Sequence, residues 1–368
     1  MNLLYISPSI IPSKSANSVH VMRMCNAFAN KSLKVELLCK TNAKQNDNLI
    51  FDFYGIKFKS FKVKALYQRN ENKLNSFLYA IWTFFKTFKT YKVNIYSRSQ
   101  LSSVLILLFS FKRIFIELHA PPSGFYKLIF RFFLKKNRIS KIIVISNELK
   151  KIISNDLDII NDNILLVCHD GADEIKNIKS NINFKKNKID VGYVGHLYKG
   201  RGIELILELA KRNINVKFHL IGGNNYDINF WKKKNKSNNI IFHGHIQPKL
   251  VPSYLRKFDI LIAPYQNKVL ISNGLNTVKW MSPLKIFEYM SAKKPILTSN
   301  LTVIKEVLEH KKNSYLCDPN DFEEWNDGLN FLINNFEFSN IISKQAFLDF
   351  KSKYTWMSRS DLILKYFE

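Results

Sequence analysis

The sequence predicts an α/β protein of two domains, each built on a parallel sheet and facing the other across a cleft. Three observations carry this. Short apolar runs alternate with amphipathic stretches almost from end to end, the pattern of stacked βα units. The pattern restarts after residues 177–188, a lysine- and asparagine-rich stretch too polar for a core. The 368 residues suffice for two domains at roughly 100 to 200 residues each, every one large enough to bury its own core.

In the first half the expected strands are residues 3–6, 35–39, 94–96, 114–117, 142–145 and 164–167. Between them, Asn17 or Ser18 is positioned to cap a helix ending near Asn30, because Val21, Met24, Cys25 and Phe28 recur at helical spacing. A second helix is expected over about 73–91. In the second half, strands are expected at 191–194, 217–221, 240–242, 260–263 and 296–298, a helix at 203–211, and helices from there to the carboxyl terminus. The expected division is 1–180 for the first domain, 187–350 for the second and 351–368 for a final helix.

Composition narrows the function. Hydrophobic residues make up 46% and aromatics 14%, so the chain can offset the ordering entropy that keeps polar, highly charged chains unfolded. Lys and Arg total 56 against 29 Asp and Glu, a formal net charge of +27. That excess favours polyanionic partners, whether nucleic acid, an anionic membrane or phosphorylated small molecules. Cys25, Cys39, Cys168 and Cys317 show no paired spacing, which reads as buried thiols in a reducing, cytoplasmic compartment. The amino terminus lacks the basic flank and apolar length of a signal peptide. The longest uncharged stretch, 99–111, falls short of the roughly 20 residues that span a bilayer.

In open α/β sheets ligands bind beyond the carboxyl ends of the strands. That rule selects the segments at 8–18, 97–100, 118–122, 195–202, 222–224 and 264–288. The most informative runs Met281-Ser282-Pro283-Leu284-Lys285-Ile286-Phe287-Glu288-Tyr289-Met290. Ser282 suits a helix N-cap and Pro283 the first helical position, and such a helix end binds phosphate. Lys285 then falls in the first turn, where a cation is disfavoured by about 0.3–1 kcal/mol unless an anion sits there. Glu288 can accept hydrogen bonds from a vicinal diol, as carboxylates do from ribose. A capped surface helix with an ordinary lysine–glutamate pair fits the same residues equally well. The second run, Gly192 to Gly202, ends a strand in a glycine loop with Lys199 and Arg201 available to phosphate; a purely structural turn also fits. The third places His119 just past a strand end, with alternation turning Glu117 to the other face. Residues 126–151 hold eight basic side chains and one acidic, interleaved with phenylalanines. They read as a basic amphipathic membrane-surface helix or as a solvated face. No RNA-binding motif accompanies them, and no His, Cys or carboxylate array suggests a metal.

Taken together, these motifs resemble the GT-B-fold retaining glycosyltransferases of family 4, the glycosyl transferases group 1. The resemblance runs nearly end to end. It includes the Ser15-Ala16-Asn17-Ser18 loop, Tyr96-Ser97-Arg98, Glu117-Leu118-His119, Val194-Gly195-His196 with Gly200-Arg201-Gly202, Leu220-Ile221-Gly222-Gly223, and Ser282 to Met290. Its Ser-Pro-Leu-Lys-x-x-Glu-Tyr-Met block is characteristic of one branch.

The resemblance implies two Rossmann-like domains, with the carboxyl-terminal helix returning to the first. It implies retaining transfer of a hexose or N-acetylhexosamine from a nucleotide-diphosphate sugar to a glycan or lipid-linked acceptor, in bacterial surface polysaccharide synthesis such as lipopolysaccharide or capsule. No resident cofactor, metal or nucleic acid is implied. His119, Arg201 and Lys285 would be catalytic. Gly195, His196, Arg201, Gly222, Ser282, Pro283, Leu284, Lys285 and Glu288 would hold the donor, and Ser15, Ala16, Asn17 and Arg98 would face the acceptor. The enzyme would work in the cytoplasm, peripherally on the membrane through residues 126–151. Three positions depart from the family pattern. Trp280 replaces the first carboxylate of a Glu-x7-Glu pair, His196 replaces an arginine, and Ser15-Ala16 replaces a Gly-Gly loop. Two other readings are a sugar-nucleotide epimerase of the same architecture and a non-enzymatic polyanion-binding protein.

Overall fold

The apolar run at the amino terminus forms β1 (Asn2–Ile10), whose residues Leu3 to Ile6 are buried. In the computed structural model it is an inner strand, third in the order of a seven-stranded, wholly parallel sheet. The residues described are 2–42, 47–56, 60–68, 72–88, 93–176, 184, 188–270 and 274–367. They divide into two units, Met1–His169 with Trp356–Glu368, and Asp170–Thr355.

In the first unit β1 is followed by α1 (Ala16–Ala29), β2 (Lys34–Thr41), α2 (Asp47–Phe53), β3 (Lys62–Tyr67) and α3 (Lys73–Phe88). Then come β4 (Asn94–Ser97), α4 (Gln100–Phe109), β5 (Ile114–Leu118), α5 (Phe125–Lys135), β6 (Ile139–Val144), α6 (Asn147–Asp156) and β7 (Leu165–Val167). The strand order is β3-β2-β1-β4-β5-β6-β7. The inner strands read as nearly continuous apolar runs because helices cover both faces of such a sheet.

The second unit repeats the plan with β8 (Ile189–Val194), α7 (Ile203–Arg212), β9 (Val216–Ile221), α8 (Asn225–Lys234), β10 (Ile240–Gly244), α9 (Val251–Leu255) and β11 (Ile260–Ala263). It continues through α10 (Leu284–Ser291), β12 (Ile296–Ser299), α11 (Thr302–Lys305), β13 (Tyr315–Cys317), α12 (Phe322–Asn334) and α13 (Phe336–Lys353). Its six parallel strands run β10-β9-β8-β11-β12-β13.

Two strands escape sequence reasoning. β3 is an edge strand whose lysines blunt it against further pairing, and Lys64 reaches Glu36 on β2 at 2.8 Å. β13 lies at an edge of the second sheet and is too short to show a period. The cap of α1 also differs from expectation. Ser15, not Asn17 or Ser18, is the N-cap and accepts from the Ser18 N–H at 3.2 Å, while Asn17 Nδ2 donates to Ser9 Oγ at 2.7 Å. Helix α3 runs to Phe88; residues 89–91 of the expected span lie outside the described residues.

The chain passes to the second unit after His169, earlier than the polar stretch at 177–188, most of which lies outside the described residues. The segment before that stretch is already tied into the second unit. Ala172 donates to the Tyr354 carbonyl at 3.1 Å, and Ile175 donates to Ser291 Oγ at 2.9 Å. At the other end α13 continues to Lys353 with Phe350 in the second unit's core. Only then does α14 (Trp356–Leu364) return to the first unit, where it packs on α1. Phe367 beyond it meets Phe115 at 4.6 Å and Phe28 at 5.9 Å between ring centroids.

Residues 126–151 do not form one amphipathic helix. They comprise most of α5, the buried strand β6 and the first half of α6. Phe125, Leu128 and Phe132 are exposed on α5. Two of its cations are paired locally, Lys127 with Asp156 at 2.7 Å and Arg131 with Asp158 at 3.0 Å. All four cysteines are buried thiols. Among the described residues no helix is long and apolar enough to cross a membrane.

Candidate functional site

In the second unit the carboxyl ends of β8 and β9 meet at two glycines. Gly195 has φ +148° and Gly222 φ +117°, values that residues with a Cβ rarely adopt. Gly195 donates to the Ile221 carbonyl at 2.9 Å, and Gly222 donates to the Gly244 carbonyl at 2.7 Å. A Cβ on Gly222 would overlap the Gly195 carbonyl oxygen, and one on Gly195 would stand 2.8 Å from Lys285 Nζ. Gly222→Ala should therefore destabilise the second unit by about 1–3 kcal/mol, seen as a lower denaturation midpoint; an unchanged midpoint would show that the turn tolerates a side chain.

Helix α10 begins one residue later than the sequence suggests. Pro283 occupies the N-cap position with extended backbone and no side-chain cap, and Leu284 opens the helix. Ser282 does not cap because its Oγ accepts the Asp170 N–H at 2.9 Å. The amides of Leu284 and Lys285 are those to which a helix offers no internal acceptor.

Lys285 is 8% exposed. Its ammonium lies 3.8 Å from the Tyr193 ring centroid and 5.0 Å from that of Tyr265. Nζ makes no hydrogen bond among the described residues. Burial drives its pKa well below the usual lysine range, the Arg201 charge adds to the depression, and Glu288 opposes it. The guanidinium of Arg201 sits 5.4 Å from the Tyr265 ring centroid, with its buried Nε making no hydrogen bond among the described residues. His196 stacks on Tyr198 at 4.7 Å; burial, then Arg201 and Lys285, lower its pKa and favour the neutral ring. Surrounding tyrosines fix the scaffold. Tyr193 donates to the His196 carbonyl at 2.6 Å, and Tyr289 accepts from Val194 at 2.9 Å. Glu288, half-buried, lies on α10 three residues after Lys285. Trp280 is half-buried in the turn before the helix. Two basic side chains whose buried nitrogens make no hydrogen bond among the described residues, beside a helix start, form an arrangement that can receive an anion.

The first unit gathers a second cluster at the ends of β4 and β5. Glu117 is fully buried and receives Tyr96 OH on Oε2. Its Oε1 lies 2.6 Å from His119 Nε2, 3.0 Å from Arg359 Nη2, 3.0 Å from His20 Nε2 and 3.6 Å from Arg98 Nε. Arg98 Nη2 lies 2.8 Å from His119 Nε2. Burial by itself would raise the Glu117 pKa, but Arg359, His20 and Arg98, with the His119 hydrogen bond, hold it well below the carboxylate range. The expectation that Glu117 faces away from His119 is therefore corrected. His119 lies beyond the last strand residue, where alternation no longer applies, and its ring folds back onto the carboxylate. With 31% of its side chain exposed, His119 is the solvent-facing member of this cluster. Ser15 and Ala16 open α1, and Ser15 Oγ lies 2.9 Å from Ser13 Oγ. Arg359, brought in by the carboxyl-terminal helix, has no signal in the local sequence. Tyr193, by contrast, stands within the glycine run and Tyr96 within Tyr96-Ser97-Arg98.

Two Rossmann-like parallel-sheet units, the first of which reclaims the carboxyl-terminal helix, define the GT-B class of fold. Residues 174–349, just under half of the chain and nearly all of its second unit, match the family model described as glycosyl transferases group 1. A glycosyltransferase of Haemophilus influenzae described as uncharacterized is 30% identical over 149 residues, 39% of this chain and 38% of that protein. The chain spans about half or less of the length of the curated relatives it matches. Among solved structures, Anabaena HepE in complex with UDP and glucose superposes with TM-score 0.71 at 14% identity, covering 99% of this chain and 98% of that one. Sucrose-phosphate synthase from Thermosynechococcus elongatus gives TM-score 0.76 at 13% identity, covering 99% and 97%.

Proposed function

We propose that this protein is a retaining glycosyltransferase that moves a hexose or N-acetylhexosamine from a nucleotide-diphosphate sugar to a glycan or lipid-linked acceptor. The observation that carries the reading is Lys285: a buried amine with no hydrogen bond among the described residues, beside Arg201 and the start of α10. An anion at that point would satisfy the amine, the guanidinium and the helix amides together. In this reading Lys285 and Arg201 hold the diphosphate and stabilise the charge that grows on it as the glycosidic bond breaks. Gly195 and Gly222 let the backbone approach, and Glu288 accepts the ribose hydroxyls. His196 contributes a neutral donor or acceptor where many members carry an arginine.

HepE, bound to UDP and glucose, shares this fold, and a uridine donor is the first to test. The first unit holds the acceptor through His119 and Arg98, with Ser15, Ala16 and Asn17 at its rim; Glu117 and Arg359 position the His119 ring. Retention of configuration rests on the family resemblance. The exposed aromatics of α5 among cations suit an anionic membrane surface at the cytoplasmic face.

A thermal-shift screen against UDP- and GDP-sugars tests the reading, since a ligand that binds the folded state raises its apparent stability. Glu288→Ala should weaken binding of the active donor by roughly tenfold or more while leaving the melting point of the free protein unchanged. Undiminished affinity would remove Glu288 from the site. Silence across the whole screen, together with silence in a transfer assay, would overturn the assignment.

A further inference from the structure

A recess of about 460 Å³ opens at the amino-terminal edge of the second unit's sheet, at the opposite ends of β8 and β9 from Gly195 and Gly222. Lys188, Lys211, Lys217 and Lys236 line it, and among the described residues no acidic side chain does. Two of these lysines are held in place: Lys188 Nζ donates to the Ile214 carbonyl at 2.7 Å, and Lys211 pairs with Glu208 at 2.5 Å. Lys217 and Lys236 make no hydrogen bond or ion pair among the described residues.

The rim is rigid. Asn239 Nδ2 donates to the carbonyls of Ala210 and Asn213 at 3.0 Å and of Val216 at 2.8 Å. Asn235 locks the adjoining turn by a reciprocal pair of 2.9 Å bonds with the Ser237 backbone. The side chains of Ser237 and Asn238 are left to offer hydroxyl and amide groups, while Ile214 and Ile241, 68% and 40% exposed, give an apolar wall.

We propose that this recess binds a segment of an anionic oligosaccharide, with carboxylate or phosphate substituents held by Lys217 and Lys236, hydroxyls by Ser237 and Asn238, and the apolar face of a sugar ring against Ile214 and Ile241. Like-charged lysines around one cavity repel one another, and an anion between them converts that repulsion to attraction. The wall excludes other polyanions on chemical grounds. Among the described residues no aromatic side chain lines it to stack a nucleobase, as single-stranded nucleic acid binding uses, and a concave recess does not match a planar bilayer. The site is separate from the donor groups, so this inference goes beyond the transferase reading, and a titration without donor leaves that reading untouched if it fails.

The protein is titrated calorimetrically with a galacturonate hexasaccharide, with maltohexaose and with a six-nucleotide oligothymidylate, at one fixed salt concentration. The galacturonate oligomer should bind most tightly. The double substitution Lys217→Glu with Lys236→Glu should weaken it at least about tenfold, and Ser237→Ala with Asn238→Ala by roughly threefold or more, both with the wild-type melting curve. Three results would overturn the proposal: unchanged affinity in the charge-reversed protein, equal binding of maltohexaose, or oligothymidylate binding as tightly and indifferent to Ser237 and Asn238. Should the charge-reversed protein fold poorly, Lys217→Gln with Lys236→Gln carries the same expectation in smaller measure.

Discussion

Lys285→Met should make the free protein more stable and, on the proposed function, nearly abolish transfer. Methionine matches the length of the lysine stem and removes the buried amine. Desolvating an ammonium without a hydrogen-bonding partner costs several kcal/mol. The tyrosine rings on either side return about 2 kcal/mol as cation–π attraction, so the desolvation cost wins. A net gain of about 1–3 kcal/mol is expected, which for a unit of this size raises the melting temperature by several degrees at about 2–4 °C per kcal/mol. Transfer should fall by roughly 10²–10³, the loss found when one preorganised charge-stabilising donor is removed.

The pH dependence follows from the depressed pKa. In the window between the folded pKa of Lys285 and the unfolded value near 10.4, the unfolded chain binds the extra proton. Wild-type stability therefore rises with pH through that window, and the methionine variant should lack this contribution. Parallel thermal melts and initial-rate assays check both halves. A lower melting temperature, or transfer at the wild-type rate, would mean that Lys285 is an ordinary packed side chain.

Glu117→Gln should have the opposite effect on the first unit. The carboxylate is the common partner of Arg98, Arg359, His20 and His119, and Arg359 is 3% exposed. Neutralising the acid breaks the buried ion pairs that Arg98 and Arg359 share with it, at a cost of about 3–5 kcal/mol. The melting temperature of the first unit should drop by on the order of 10 °C, followed through Trp356, which is 4% exposed on α14. The folded pKa of Glu117 is depressed, so its stabilisation is present above the unfolded value near 4.3 and is lost as the pH falls through the folded pKa. Wild type should therefore show a component of acid unfolding below about pH 4 that the glutamine variant lacks. Equal acid profiles would show that other carboxylates govern the transition. Activity should fall as well, because the carboxylate fixes the His119 ring.

Much of the fold is legible because a sheet covered by helices on both faces needs apolar runs at every inner strand, and β1, β5, β8 and β11 supply them. β3 was hidden by its lysines, which serve an edge, and β13 by its three residues. In the candidate donor site, the glycine turns and the Ser282 to Met290 block are local and readable. The role of Ser282 was misread because its partner, the Asp170 amide, is far along the chain. The alternation rule misplaced Glu117 because His119 had already left the strand.

The alternating architecture, the second start of the pattern, the glycine-edged strand ends and the lysine in the first turn of α10 can all be read from the order of residues. Each of these depends on neighbours in the chain, where periodicity and capping chemistry are written. Folding in three dimensions is what seals Lys285 among Tyr193, Tyr265 and Arg201, brings Arg359 back to Glu117, and sets four separated lysines around one recess. Those outcomes depend on which side chains share a volume once water is gone, and desolvation and charge pairing act through space rather than along the backbone.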